Sequence, residues 1–392
     1  MLSELRHDRK LSSSRSCRSS ESMKRYRERC DWDWPVELGD CPWGRPPVAS
    51  LHERQAGESP GEAGRRLERF SEASHLKLAV QVHSLDELWE GHQWWSRLPE
   101  RRSFLPRSED GRWSWYRLRQ KGHMKINFLR TSDGSSPDQP SFVAWARAPS
   151  RPERFAAILG DPVAHSRTPT EHHAYFASRG MPVLALRLRE DELDVDALTQ
   201  LASLGMSHAA VTSPLKKRAA AVSGATGGLG AVNTLARDGD AWHVANTDAA
   251  ALSDWLHPIA GRRVVLWGGG GTRDAVMAAV PDAAAYSARR AVPVDEDGSE
   301  IPDPEVVIWA VGRTRQEDCQ WPPARWRPEC VYDLNYAEDS PGREYALSRG
   351  CRYESGLRMF ELQAEAQRAF WSRLAQHSDD DDDREVGRDV RQ

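Results

Sequence analysis

The chain has 392 residues, 39% of them hydrophobic, and a formal net charge of −4. That length supplies core for two or three domains, and so small a negative charge offers no basic footprint for nucleic acid. No apolar run approaches the roughly 18 residues that a membrane helix needs. The six cysteines (Cys17, Cys30, Cys41, Cys319, Cys330 and Cys351) form neither a CxxC pair nor a metal-ligand spacing, so reduced thiols in a cytoplasm are expected.

Residues 1–29, rich in Arg and Ser, read as a disordered basic tail running into a short helix near Ser22–Arg29. The tail lacks the apolar core of a secretory signal, and Glu4, Asp8 and Glu21 set it apart from an organelle transit peptide. Over residues 30–150, strands are predicted at 46–52, 75–82, 123–129 and 141–145, with helical periodicity over 62–74. Strands separated by helices point to βαβ units on a parallel sheet. Trp94, Trp95, Trp113 and Trp115 are expected to pack as core or helix-face residues. The segment resembles the C-terminal half of a type I 3-dehydroquinate dehydratase. His52 in SLHE stands where that family has its histidine, and Lys77 in HLKLAV where it has its Schiff-base lysine. Arg117 in SWYR and Gln139 in SPDQ fall at the substrate-binding positions. That family's βα barrel needs roughly 200 residues or more. Residues 30–150 are therefore expected to be a partial βα-barrel remnant with vestigial His52, Lys77, Arg117 and Gln139 and no dehydratase activity; a bifunctional enzyme is the alternative.

From residue 155 the chain reads as strand, Gly/Pro/Ser loop and helix, FAAILGDPVAHSRTPTEHHAYFASRG. Ser166 and Thr168 stand where the helix begins, so their hydroxyls either hold a carboxylate or cap the helix. His165, His172 and His173 lack the HExxH spacing and an acidic companion, and no metal is expected. PVLALRLRED and SHAAVTSP read as strands around an amphipathic helix, DELDVDALTQLASLG. Next come VTSPLKK with Lys216 opening a helix after Pro214, GAVNT with Asn233, and NTD with Asp248. A lysine, a carboxamide and a carboxylate converging on one pocket manage proton transfer at a hydroxyl or carbonyl. Taken singly, Lys216 is a solvated helix-face residue and Asp248 an N-cap.

RRVVLWGGGGTRDAVMAAV is a strand, a glycine turn (Gly268, Gly269, Gly270, Gly271, Thr272) and a helix, the arrangement of a dinucleotide pyrophosphate cradle. The following strand ends at Arg289 and Arg290, which suit a 2′-phosphate, so NADP is preferred to NAD. Asp274 is an acid near that phosphate and opposes it. EVVIWAV and ECVYDLNY are further strands, the latter expected to be the last parallel one. Residues 357–374 form an amphipathic helix, and Asp379–Asp383 begin a solvated acidic tail.

Five motifs in this order resemble the shikimate dehydrogenase family: GDPVAHSRTP, AVTSPLK, AVNT, NTDA and the glycine turn, followed by a Gly-x-x-Met-x-x-x-Gln helix with Gln363. Ala210 and Ala249 depart from the family's Asn and Gly, and EVVIWAV (Glu305–Val311) stands in place of its Asn-Ala-Thr. The resemblance implies an α/β fold with a substrate domain over 154–255, completed by helix 357–375, and a Rossmann NADP domain over 256–350; 376–392 is the tail. It implies NADPH-dependent reduction of 3-dehydroshikimate. Lys216 and Asp248 would be the acid–base pair; Thr212, Asn233 and Gln363 would hold ring hydroxyls; Ser166, Thr168 and Tyr336 would hold the carboxylate. The expected partner is a small-molecule substrate, with no nucleic acid and no membrane; the sequence does not fix the oligomeric state. Quinate oxidation and ligand sensing without turnover are the rival readings.

Overall fold

The longest apolar runs become fully buried strands, and polar amphipathic segments between them become the covering helices. The computed structural model describes residues 33–38, 46–131, 136–163, 166–224, 229–269, 272–294, 303–312 and 319–389, with side chains of the last helix as far as Ala375. The basic tail over 1–29 lies outside them. Two compact units divide at Glu153/Arg154.

The first unit holds β1 (Asp33–Pro35), β2 (Val48–Leu51), α1 (Pro60–Leu67), β3 (His75–Leu78), α2 (Leu85–Ser96), β4 (Arg102–Phe104), α3 (Ser114–Arg119) and α4 (Phe142–Arg147). The four strands form one open parallel sheet in sequential order. Ser59 starts α1 through a reciprocal capping box with Glu62. A Cβ at Gly64 would lie 2.5 Å from Trp94, so glycine lets α1 and α2 approach closely. Two expected strands are corrected. HMKINFL is turn and bend, its Ile126 and Asn127 bonding Ser103 and the Arg117 carbonyl, and SFVAW is mostly α4, capped by Ser141 accepting from Ala144. The two strands not expected, β1 and β4, have three residues each, too few to show a period.

The second unit contains two sheets. β5 (Phe155–Gly160), α5 (Thr168–Ala177), β6 (Val183–Arg187), α6 (Val195–Ser203), β7 (Met206–Val211), α7 (Lys216–Val222), β8 (Thr234–Asp238) and β9 (Ala241–Ala245) build a five-stranded sheet in the order β6-β5-β7-β8-β9. β6, β5 and β7 run parallel, while β8 and β9 form an antiparallel hairpin closed by Gly239 at φ +53°. α8 (Asp248–Leu256) then leads into β10 (Val264–Gly268), α9 (Arg273–Ala279), β11 (Ala284–Ser287), β12 (Val292–Pro293), β13 (Val306–Ala310), β14 (Cys330–Asp333), α10 (Pro341–Arg349), β15 (Arg352–Ser355) and α11 (Leu357–Asp389). These strands order as β12-β11-β10-β13-β14-β15, parallel except for β12. β15 therefore corrects the expectation that β14 is the last parallel strand. Its sequence, RYES, carries no apolar run because it lies at the sheet edge.

α11 touches both sheets. Met359 and Leu362 pack against the cluster formed by α8, β10 and β13, and Trp371 is buried with Phe176 of α5 and with Ile158 and Ala236 of the other sheet. The helix runs on to Asp389, through residues expected to be a disordered tail. Once the packed turns have nucleated it, extension costs little per residue, and no proline follows to stop it.

Candidate active site

The β8–β9 hairpin decides the geometry of the site. Asn233 immediately precedes β8 and Asn246–Asp248 follow β9, so the turn returns the second motif alongside the first. The Asn233 N–H donates to the Ala245 carbonyl at 3.1 Å. β7 ends beside them, and α7 starts at Lys216 with Leu215 as its N-cap. Lys216 Nζ donates to Asp248 Oδ2 at 2.5 Å, with the two side chains 33% and 18% exposed. Asp248 is not an N-cap: that position belongs to Thr247, and Asn246 Oδ1 accepts the Asp248 N–H at 3.0 Å. Its carboxylate is thereby left to the lysine. Lys217 points to solvent.

Asn233 is 1% exposed and every valence of its amide is engaged. Nδ2 donates to Thr247 Oγ1 at 2.9 Å and to Gln363 Oε1 at 3.4 Å, while Oδ1 accepts from Thr234 Oγ1 and the Thr247 N–H. Behind it lie further buried groups, of which Gln367 and Trp371 did not stand out in the sequence. Gln367 Nε2 donates to the Asn233 carbonyl at 3.0 Å, and Gln367 Oε1 accepts from His172 Nε2 at 2.9 Å. Gln367 stands one helical turn after Gln363, a spacing that marks the same helix face. Trp371, another turn on, donates from Nε1 to the Leu235 carbonyl at 3.0 Å.

Burial pushes the His172 and His208 imidazoles down from 6.5 to about 4, so both are neutral in the fold. An unfolded chain protonates them near 6.5. Their stabilisation is therefore fully present above that pH and is lost as the pH falls through about 4. The thermal midpoint is expected to drop between about pH 7.5 and 4.5, and less steeply in His172→Gln, which keeps a polar partner for Gln367. An unchanged slope in that variant would show that other groups control the acid limb.

Ser166 Oγ donates to Thr168 Oγ1 at 3.0 Å and accepts the Thr168 N–H at 3.2 Å. Arg167, between them, places its guanidinium 6.0 Å from the Tyr336 ring centroid. Tyr336 follows β14, so Arg167 brings the segment before α5 close to the segment after β14. Thr212 lies half-buried just past β7.

Strand order reverses between β10 and β13, and ligands of such sheets bind at the carboxyl ends of the strands flanking that point. There Gly268 and Gly269 adopt φ of +92° and +116°, and a Cβ on Gly268 would meet Val311 at 2.8 Å. Thr272 Oγ1 is turned back to the Gly269 carbonyl at 2.7 Å. Gly270 and Gly271 lie outside the described residues. Arg289 and Arg290 are exposed beyond β11, and Asp274 is exposed in the first turn of α9. A glycine cradle with two guanidinium groups beside the next strand fits a dinucleotide phosphate.

In the first unit, register places Lys77 between Ser50 of β2 and Ser103 of β4. Lys77 Nζ lies 5.9 Å from the Phe128 ring centroid. His52, just past β2, donates its backbone N–H to Glu37 Oε1 at 2.5 Å. Arg117 is 3% exposed on α3, its Nε and Nη1 without hydrogen-bond partners. Burial lowers its pKa to about 10 against the pull of Asp138. Gln139 is half-buried in the loop before α4.

A parallel sheet with glycines at its switch point, joined to a second sheet presenting a Lys–Asp pair, defines a two-lobed α/β protein of the dinucleotide-binding architecture. Residues 158–235 match the model of the shikimate dehydrogenase substrate binding domain. A relative named shikimate dehydrogenase (NADP(+)) from Moorella thermoacetica is 30% identical over 259 residues, 56% of this chain and 88% of the relative. The chain belongs to the shikimate dehydrogenase family. A second protein of that name, from Syntrophobacter fumaroxidans, is 39% identical over 127 residues; the match spans 31% of this chain and under half, 44%, of the relative. A solved shikimate dehydrogenase from Peptoclostridium difficile aligns over 56% of this chain and 91% of its own at 19% identity, with a TM-score of 0.46.

Proposed function

We propose that the chain is an NADP-dependent shikimate dehydrogenase, interconverting 3-dehydroshikimate and shikimate. The 2.5 Å pair of Lys216 and Asp248 is the observation that carries this reading. Bound NADPH supplies the hydride for the ring carbonyl carbon. Lys216 and Asp248 hold and deliver the proton at the carbonyl oxygen, each keeping the other oriented. Thr212, Asn233 and Gln363 orient the ring hydroxyls; the 3.4 Å contact of Asn233 with Gln363 is the longest in that cluster and yields to a substrate hydroxyl. The Ser166 and Thr168 hydroxyls and Tyr336 hold the carboxylate, with Arg167 supplying positive charge nearby. Gly268, Gly269, Gly270, Gly271 and Thr272 would hold the pyrophosphate, and Arg289 and Arg290 the 2′-phosphate. The names of the family relatives support NADP as the cofactor.

The test is an assay of the purified chain with shikimate and NADP, followed as NADPH absorbance. NADPH formation is the expected result; its absence, with shikimate still binding, would favour the sensing reading, and faster turnover of quinate would move the substrate assignment. Every residue assigned above lies beyond Arg154. Removal of 1–150 is therefore expected to leave shikimate oxidation within about threefold of the full chain, because units with separate cores tend to fold alone. A soluble, folded but inactive fragment would give the first unit a part in this chemistry.

A further inference from the structure

Asp333 ends β14 with 0% exposure, and among the described residues the four groups donating to it are all neutral. Oδ1 accepts both the backbone N–H and Nδ2 of Asn335, each at 2.9 Å. Oδ2 accepts from Tyr353 Oη at 3.1 Å and from Ser340 Oγ. Burial raises its carboxyl pKa from the ordinary value despite these bonds. A buried carboxylate without a cation is costly, and one needed only for packing is better replaced by an apolar group.

What the carboxylate fixes is Asn335. The second hydrogen of Asn335 Nδ2 goes to the Val311 carbonyl at 2.8 Å, at the end of β13. Its own carbonyl accepts the Gly356 N–H at 3.1 Å, directly before α11. A Cβ on Gly356 would lie 2.6 Å from the Leu334 carbonyl oxygen, so the two segments touch through backbone alone. Tyr336 is the next residue along from this clamp, and Gln363 stands two turns into the helix that the clamp starts.

We infer that Asp333 is a positioning residue: by locking Asn335 against the ends of β13 and β15, it sets where Tyr336 and Gln363 meet the substrate. Its action on substrate rests on the shikimate reading above; the locking does not. Four acceptor sites are required, and only an ionised carboxylate presents them without a donor of its own. In Asp333→Asn the amide must point two hydrogens at Ser340 and Tyr353, which can turn to accept, so the fold survives while the grip on Asn335 weakens.

The test compares Asp333→Asn and Asn335→Ala with the unaltered chain by hydrogen exchange without ligand and by steady-state kinetics. In both variants, amides of 334–337 and 356–363 are expected to exchange roughly tenfold faster, as for loss of about one hydrogen bond, with β10 and β13 unchanged. The KM for shikimate is expected to rise roughly tenfold, with kcat changing less. Adding Tyr336→Phe to Asp333→Asn should cost less than the sum of the separate effects, because the two act as one unit. Unchanged exchange in the two segments, uniform acceleration across the whole sheet, or additive kinetic effects would overturn the inference. If the unaltered chain does not oxidise shikimate, the functional reading falls, and the exchange comparison still decides whether Asp333 locks these segments.

Discussion

Lys216→Ala or Asp248→Asn is expected to slow NADP reduction by shikimate by about 100- to 10,000-fold, the usual worth of a placed acid or base. The effect should fall on kcat, since both groups act on the oxygen whose charge changes during reaction. Asp248→Asn preserves shape and keeps an oxygen toward Lys216, but it removes the charge that holds the ammonium in place at 2.5 Å. Lys217→Ala is the internal control, because that side chain is exposed on the same helix turn. Turnover within about threefold of normal in either pair mutant would remove both residues from the chemistry, as no placed acid or base is worth so little.

Trp371→Ala is expected to have the largest effect on stability, about 3–5 kcal/mol, as for other buried aromatic truncations. The ring is 1% exposed and lies 4.9 Å from His172 and 5.0 Å from Phe176, centroid to centroid. Removing it opens a cavity between α11 and the five-stranded sheet, and leaves the Leu235 carbonyl without its indole donor. Since Gln363 and Gln367 stand on the same helix face, detachment of this end should also raise the KM for shikimate. Leu347→Ala is the comparison: that residue is 71% exposed, and a change within about 0.5 kcal/mol is expected. Urea denaturation of the three proteins measures both, and equal midpoints would mean that α11 is not anchored through Trp371.

The sequence by itself determined the elements whose signal is local. β5, β10 and β13 are unbroken apolar runs, so burial on both faces was readable. Lys216, Asn233 and Asp248 stood out because polar side chains interrupt such runs, and the glycine turn because it separates a strand from a helix. Tertiary structure decided the rest, wherever the cause lies in residues distant along the chain. The β8–β9 hairpin brings Asp248 to Lys216 across 32 positions, which no period in the sequence encodes. Asn233 read as a free ligand, yet its amide is saturated by Thr247 and Gln363, a fact fixed only when α11 docks. His172 stood out only as a candidate metal ligand, and Gln367 did not stand out; docking of α11 buries both and makes each the other's hydrogen-bond partner. β4 and β15, at sheet edges, are strands because a neighbour supplies the hydrogen bonds, and their own residues show too little alternation to announce it.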